Sequence, residues 1–219
     1  MKLKLLSAAA ASALALSMAG AASATITYTL GTGNAAIAGY PAPYGSVDVT
    51  LTDATHASIS FTAANTGGNQ YFFLGAQAAD VNVNAISWTI TGLTENGAGT
   101  ISDGGSNQVD GHGLFNQTTD QTDGFTDRST AISFILTNTG GTWANDGSVL
   151  IGNNLGNTVG AHIGVCTNTP CTEFAVTGFA TNGGGGVVPE PATWAMMILG
   201  FGGIGAMLRR RRVPQLAIA

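Results

Sequence analysis

Hydrophobic and polar positions alternate with a period of two through much of this chain. Ile26, Tyr28 and Leu30 are separated by Thr27 and Thr29, and Val47, Val49 and Leu51 by Asp48 and Thr50. Ile59 and Phe61 alternate with Ser58, Ser60 and Thr62, and Ile86, Trp88 and Ile90 with Ser87 and Thr89. Successive side chains of a strand point to opposite faces, so the pattern predicts strands with one buried face. The apolar positions are mostly β-branched or aromatic, which suits a pleated surface. Residues 71–74, 131–136, 149–151, 162–165 and 173–176 are further predicted strands. Gly- and Asn-rich connections separate them, and no window of the body carries a helical stripe. About eight to ten short strands predict an all-β body over residues 25–181, an antiparallel β-sandwich or a barrel-like relative of one.

One stretch is echoed. Ile59-Ser60-Phe61 with Asn65-Thr66-Gly67-Gly68 recurs as Ile132-Ser133-Phe134 with Asn138-Thr139-Gly140-Gly141. A duplicated half-sandwich and a strand-plus-turn used twice both account for it; the unmatched flanks favour the second.

Composition narrows the class. Gly occupies 32 positions and charged residues only 9% of the chain, too few charges for a typical cytoplasmic enzyme. An apolar fraction of 44% argues against disorder. Between residues 25 and 188 Arg128 is the only Lys or Arg, against eleven Asp and Glu, a net −10. Such a body repels phosphate backbones, which excludes nucleic acid as a partner and favours divalent cations or neutral glycans.

Both ends read as export signals. Lys2 and Lys4 precede an uncharged Ala/Leu-rich run, and Ala22-Ser23-Ala24 supplies small residues at −3 and −1. Residues 1–24 are therefore predicted to be a signal peptide cut by signal peptidase after Ala24. At the other end, a Gly-rich linker at 182–188 leads to Pro189-Glu190-Pro191, whose prolines hold the chain extended. Residues 192–208 are uncharged and long enough for a transmembrane helix of roughly 25 Å, slightly short of a ~30 Å hydrocarbon core. Arg209, Arg210, Arg211 and Arg212 form the topological stop that keeps this end cytoplasmic, and residues 213–219 are a short tail.

The string from Pro189 through Trp194 and Ala195 to the four arginines resembles the PEP-CTERM sorting signal, in its PEP-x-x-W-A variant from alphaproteobacteria. The same kind of tail is also called an ice-binding protein C-terminal domain, although it supplies no ice-binding surface. The resemblance implies recognition by an exosortase near Pro189, Glu190, Pro191 and Trp194, from an inner-membrane intermediate, in cells that make exopolysaccharide or biofilm. It implies delivery to the envelope, the outer surface or the extracellular space.

The remaining chemistry is sparse, and no catalytic residue or cofactor is expected. Cys166 and Cys171, with four residues between them, are too few for a metal site; in an oxidising compartment they are expected to form a disulfide. His56, His112 and His162 lack metal-ligand spacing and no Gly-x-Ser-x-Gly elbow exists. Asp120, Asp123 and Asp127 sit with Asp103 and Asp110 in a Gly-rich stretch read as a loop. Calcium is one reading of that loop, and a solvated acidic surface is the other. The expected function is a non-enzymatic envelope or matrix structural protein. The alternatives are a glycan-binding module, with or without calcium, and a secreted hydrolase using paired carboxylates.

Overall fold

The computed structural model describes residues 24–183, the backbone of 188–189 and residue 201. Within them the chain is all-β and antiparallel. The strands are β1 (Ile26–Leu30), β2 (Thr32–Gly33), β3 (Gly45–Leu51), β4 (His56–Ala63), β5 (Asn65–Thr66), β6 (Asn69–Phe73) and β7 (Ala79–Val81). They continue as β8 (Trp88–Glu95), β9 (Ile101–Val109), β10 (Gly113–Gln121), β11 (Ala131–Asn138), β12 (Val159–Cys166), β13 (Val176–Thr181) and β14 (Val188–Pro189). The smaller sheet runs β14-β1-β3-β4-β11-β8. The larger runs β2-β13-β12-β7-β10-β9, with the β5–β6 hairpin also on β12. The two sheets pack as a sandwich, and the chain passes between them directly at Gly31, from β1 to β2.

The period-two stretches form the smaller sheet, where only one face is buried. Val47 and Val49 of β3, Ala57, Ile59 and Phe61 of β4, and Ile132, Phe134 and Leu136 of β11 all face the core. Their partners from the larger sheet include Tyr71, Phe73, Val81, Val159, Ile163 and Val165. Phe61 lies at the meeting point, with ring centroids 6.0 Å from Phe73 and 6.3 Å from Phe134. The echoed triplets pair with each other: Ile59 faces Phe134, Ser60 faces Ser133 and Phe61 faces Ile132. Their flanks diverge, since Asn65–Thr66 enters the larger sheet while Asn138 ends β11. The echo is thus a local two-fold pairing, not a duplicated half-sandwich.

Three predicted strands shift. Ile86 is 92% exposed and lies outside β8, which starts at Trp88. Residues 149–151 follow a short 3-10 turn, Asp146–Ser148, and make one isolated bridge, Val83 to Leu150. The strand expected at 173–176 begins only at Val176. The larger correction concerns the acidic stretch. It is not a loop: β9 and β10 form a long hairpin through it, with register shifts between Phe115 and Thr119. Asp103 and Asp120 are strand residues, Asp110 is at the turn, and Asp123 and Asp127 follow β10.

Removing the Phe61 ring should therefore cost the most. Phe61→Ala is expected to lower unfolding free energy by about 3–5 kcal/mol. Ile135→Ala, on the outer face of the same sheet, should change it by under about 1 kcal/mol. Chemical denaturation followed by tryptophan fluorescence checks both.

Candidate functional site

The C-terminal signal is reached along β13. Asn182 Oδ1 accepts the main-chain N–H groups of Thr158 and Val159 at 2.9 and 3.3 Å. Gly183 has φ +62°, and a Cβ there would lie 2.2 Å from Thr32 Oγ1, so only glycine fits. The first two residues of the expected linker are thus fastened to the body. At β14 the chain runs antiparallel to β1, with Thr27 opposite Val188 and Ile26 opposite Pro189. Proline has no N–H to give a ladder, and an edge strand is where that is tolerated. The motif's first proline therefore lies beside Ile26, two residues beyond Ala24. Ala22, Glu190, Pro191, Trp194, the helix expected at 192–208 and Arg209, Arg210, Arg211 and Arg212 lie outside the described residues. Among the described residues no helix is long and apolar enough to cross a membrane.

A second feature lies on the outer face of the larger sheet. Tyr71 and Phe73 are buried, so Phe72 between them points outward. Phe174 lies over Gly164, where a Cβ would approach its ring to 2.6 Å. Phe125 meets Phe174 edge-on at 5.1 Å, and the Arg128 guanidinium lies 3.8 Å from the Phe125 centroid and 4.8 Å from that of Phe72. Beside this group His162 stacks on Phe179 at 4.4 Å. The only Lys or Arg of the body is thus held among phenylalanine rings. Of the three rings only Phe72 sits on a strand; Phe125 lies in the 3-10 turn Phe125–Asp127 and Phe174 in the segment before β13, so strand alternation carries no signal for this platform.

Residues 187–212 match the family model of the PEP-CTERM protein-sorting motif. The chain carries a PEP-CTERM sorting signal. The match takes in the Pro-Glu-Pro motif, the uncharged run and all four arginines. It marks an exported protein that is handled by an exosortase on its way through the membrane to the cell envelope. No curated protein and no solved structure matches the chain.

In the body of this PEP-CTERM protein the remaining candidates separate. His56 is half-exposed on β4 and pairs with Asp53 at 2.9 Å; the Thr55 main-chain N–H, with the hydrogen bonds of His56 and the Thr55 hydroxyl, holds the Asp53 carboxyl below the usual carboxylate range. His112 is buried at the β9–β10 turn, where Nε2 lies 3.2 Å from the Phe179 carbonyl and Nδ1 3.3 Å from Thr181 Oγ1. Burial lowers the pKa of His112, and that of His162 likewise. Asp120 Oδ1 accepts from Gln77 N at 3.0 Å, whereas Asp123 lies against Gly75. Among the described residues no three His, Cys, Asp or Glu side chains gather as a metal site. Cys166 and Cys171 are disulfide-bonded, with Cα atoms 5.7 Å apart, and close the tip of the β12–β13 hairpin. An open cleft of about 540 Å³ lies between the loops around Ile86 and Gly140, over the buried face of Trp143.

Two outcomes follow. Replacing both cysteines by Ala should cost about 2 kcal/mol, because the closed loop is short; equilibrium denaturation reads it. His112 has a folded pKa below its ordinary 6.5, so the unfolded chain takes up the proton first. Its contribution is fully present above that value and is lost as pH falls below it. The stability difference between wild type and His112→Gln should shrink between about pH 7.5 and pH 5.5. A difference that grows on acidification would contradict this.

Proposed function

We propose that this PEP-CTERM protein is a non-catalytic structural component of the cell envelope or extracellular matrix, associated with exopolysaccharide. Signal peptidase cuts after Ala24, the uncharged run at 192–208 holds the chain in the inner membrane, and an exosortase then acts near Pro189, Glu190 and Pro191. The observation that carries the reading is the sorting motif at 187–212, joined to a body of a single sandwich. The smaller sheet turns Ser46, Asp48, Thr50, Ser58, Ser60 and Ser133 outward, a small-residue polar face suited to a hydrated polysaccharide surrounding. Trp194 and Ala195 extend the proposal to the alphaproteobacterial form of the signal.

A second reading, a glycan-binding module, draws on one observation: the Phe72, Phe125 and Phe174 rings with Arg128 on the outer face of the larger sheet. Aromatic faces offer the apolar surface that a sugar ring stacks on, and a guanidinium offers donors in a fixed fork.

The motif and the arginines have separable roles, because the first is read by an enzyme and the second sets topology. Replacing Arg209, Arg210, Arg211 and Arg212 by Ser should misplace or release unprocessed protein. Replacing Pro189, Glu190 and Pro191 by Ala should leave protein anchored in the inner membrane and unprocessed. Fractionation and immunoblotting in a host with a working exosortase distinguish the two. Normal maturation of both variants would show that the segment is only an anchor.

A further inference from the structure

The larger sheet has a second buried layer on the side away from the core. One row crosses five strands: Thr181 of β13, Gly160 of β12, Asp80 of β7, Thr118 of β10 and Gly105 of β9. Residues directly opposite each other in antiparallel strands share a face, and the flanking Ala79, Val81, Val159 and Ala161 belong to the sandwich core. The row therefore points outward, yet Asp80, Thr118 and Thr181 are all 0% exposed. Phe115 helps to cover it: a Cβ at Gly160 would lie 3.2 Å from its ring and 3.4 Å from Asp80 Oδ2.

Three oxygens in this layer have no hydrogen-bond partner: Oδ1 and Oδ2 of Asp80 and Oγ1 of Thr118. A buried carboxylate without donors is strongly disfavoured, so its presence calls for a compensating group. Asp120 adds a second carboxylate to the same face of β10, two residues from Thr118. Its charge, after burial, is what raises the pKa of Asp80. Thr118 Oγ1 and Asp120 Oδ1 meet under the β9 bulge, and Asp80 lies directly opposite Thr118 in the ladder. The Cβ that Gly104 lacks would sit 2.7 Å from Thr118 Oγ1 and 2.9 Å from Asp120 Oδ1, and would fill that cradle. A proton on Asp80 adds one O–H donor and leaves an Asp80 oxygen unpartnered. A cation serves all three orphaned oxygens at once.

We propose that Asp80 and Asp120, with the hydroxyl of Thr118, bind a divalent cation of the calcium class beneath the β9–β10 hairpin. The donors are all hard oxygens, which suits calcium. A body with eleven acids and one base also attracts cations in the calcium-containing space outside the cytoplasm. The set differs from Asp120, Asp123 and Asp127: Asp80 comes from a strand 40 residues away in sequence, which spacing along the chain does not reveal.

The test uses the exported protein, stripped with a chelator and returned to about 1 mM CaCl2. Equilibrium dialysis with radioactive calcium should give one ion per chain, and calcium should raise the melting temperature. Asp80→Asn keeps the shape and removes the charge; affinity should fall by more than about tenfold, since charge count sets calcium affinity. Thr118→Val, which removes only the hydroxyl, should weaken binding as well and serves if Asp80→Asn does not fold. Asp123→Asn and Asp127→Asn should leave binding unchanged. Absence of bound calcium in the wild type overturns the proposal, as does binding that survives both Asp80→Asn and Thr118→Val. A wild type stabilised by acid and indifferent to calcium also overturns it, and makes the compensating group a proton.

Discussion

Phe61 sets the distance between the two sheets. Its ring reaches from the smaller sheet to Phe73 of the larger and lies along Phe134 of its own neighbour strand. A single β-sheet of Thr, Ser and Val strands has only one face to bury and no helix to cover it, so a second sheet must supply the other half of the core. Around this contact Tyr71, Ile59, Ile132, Ile163 and Val47 are fully or almost fully buried. The chain connections serve that packing. The chain crosses from β1 into β2 at Gly31, and the β5–β6 hairpin carries Tyr71 and Phe73 over to β12.

Because the core takes only one face of each sheet, the two outer faces are free for other uses, and they differ. The smaller sheet shows hydroxyl side chains. The larger is divided, with an aromatic platform around Arg128 at one end and a buried polar layer around Asp80 at the other. The hairpin β9–β10 makes the second of these by covering a face that would otherwise meet water. A chain with so few charges places one base between rings and one carboxylate under a hairpin. Neither is what a merely solvated surface needs.

The parts legible in the sequence are those where one face alone is buried. β1, β3, β4 and β11 alternate because their outward positions meet solvent. β7 does not, because Ala79, Asp80 and Val81 are all buried, and its three residues carry no periodic signal. β9 and β10 were hidden by composition: Gly104, Gly105, Asp103 and Asp120 are residue types that strands disfavour, so the hairpin resembled a loop. The bulge between Phe115 and Thr119 also breaks the period. The aromatic platform was missed because Phe72, Phe125 and Phe174 are brought together only by the register of β6, β12 and the segment before β13. The sorting signal was readable because its parts are contiguous and each acts through a local property: an extended backbone, an uncharged run, a charge cluster.

The pairing of β14 with β1 puts the first proline of the sorting motif beside Ile26, near the start of the described body. On the proposed function, such a body is processed at both ends beside the membrane, and the sandwich alone is released. Intact mass spectrometry of the protein recovered from outside the inner membrane of its native host tests this most directly. The account predicts a chain that starts at Thr25 and has lost residues 192–219. A mature exported protein that still carries Arg209, Arg210, Arg211 and Arg212 would contradict it.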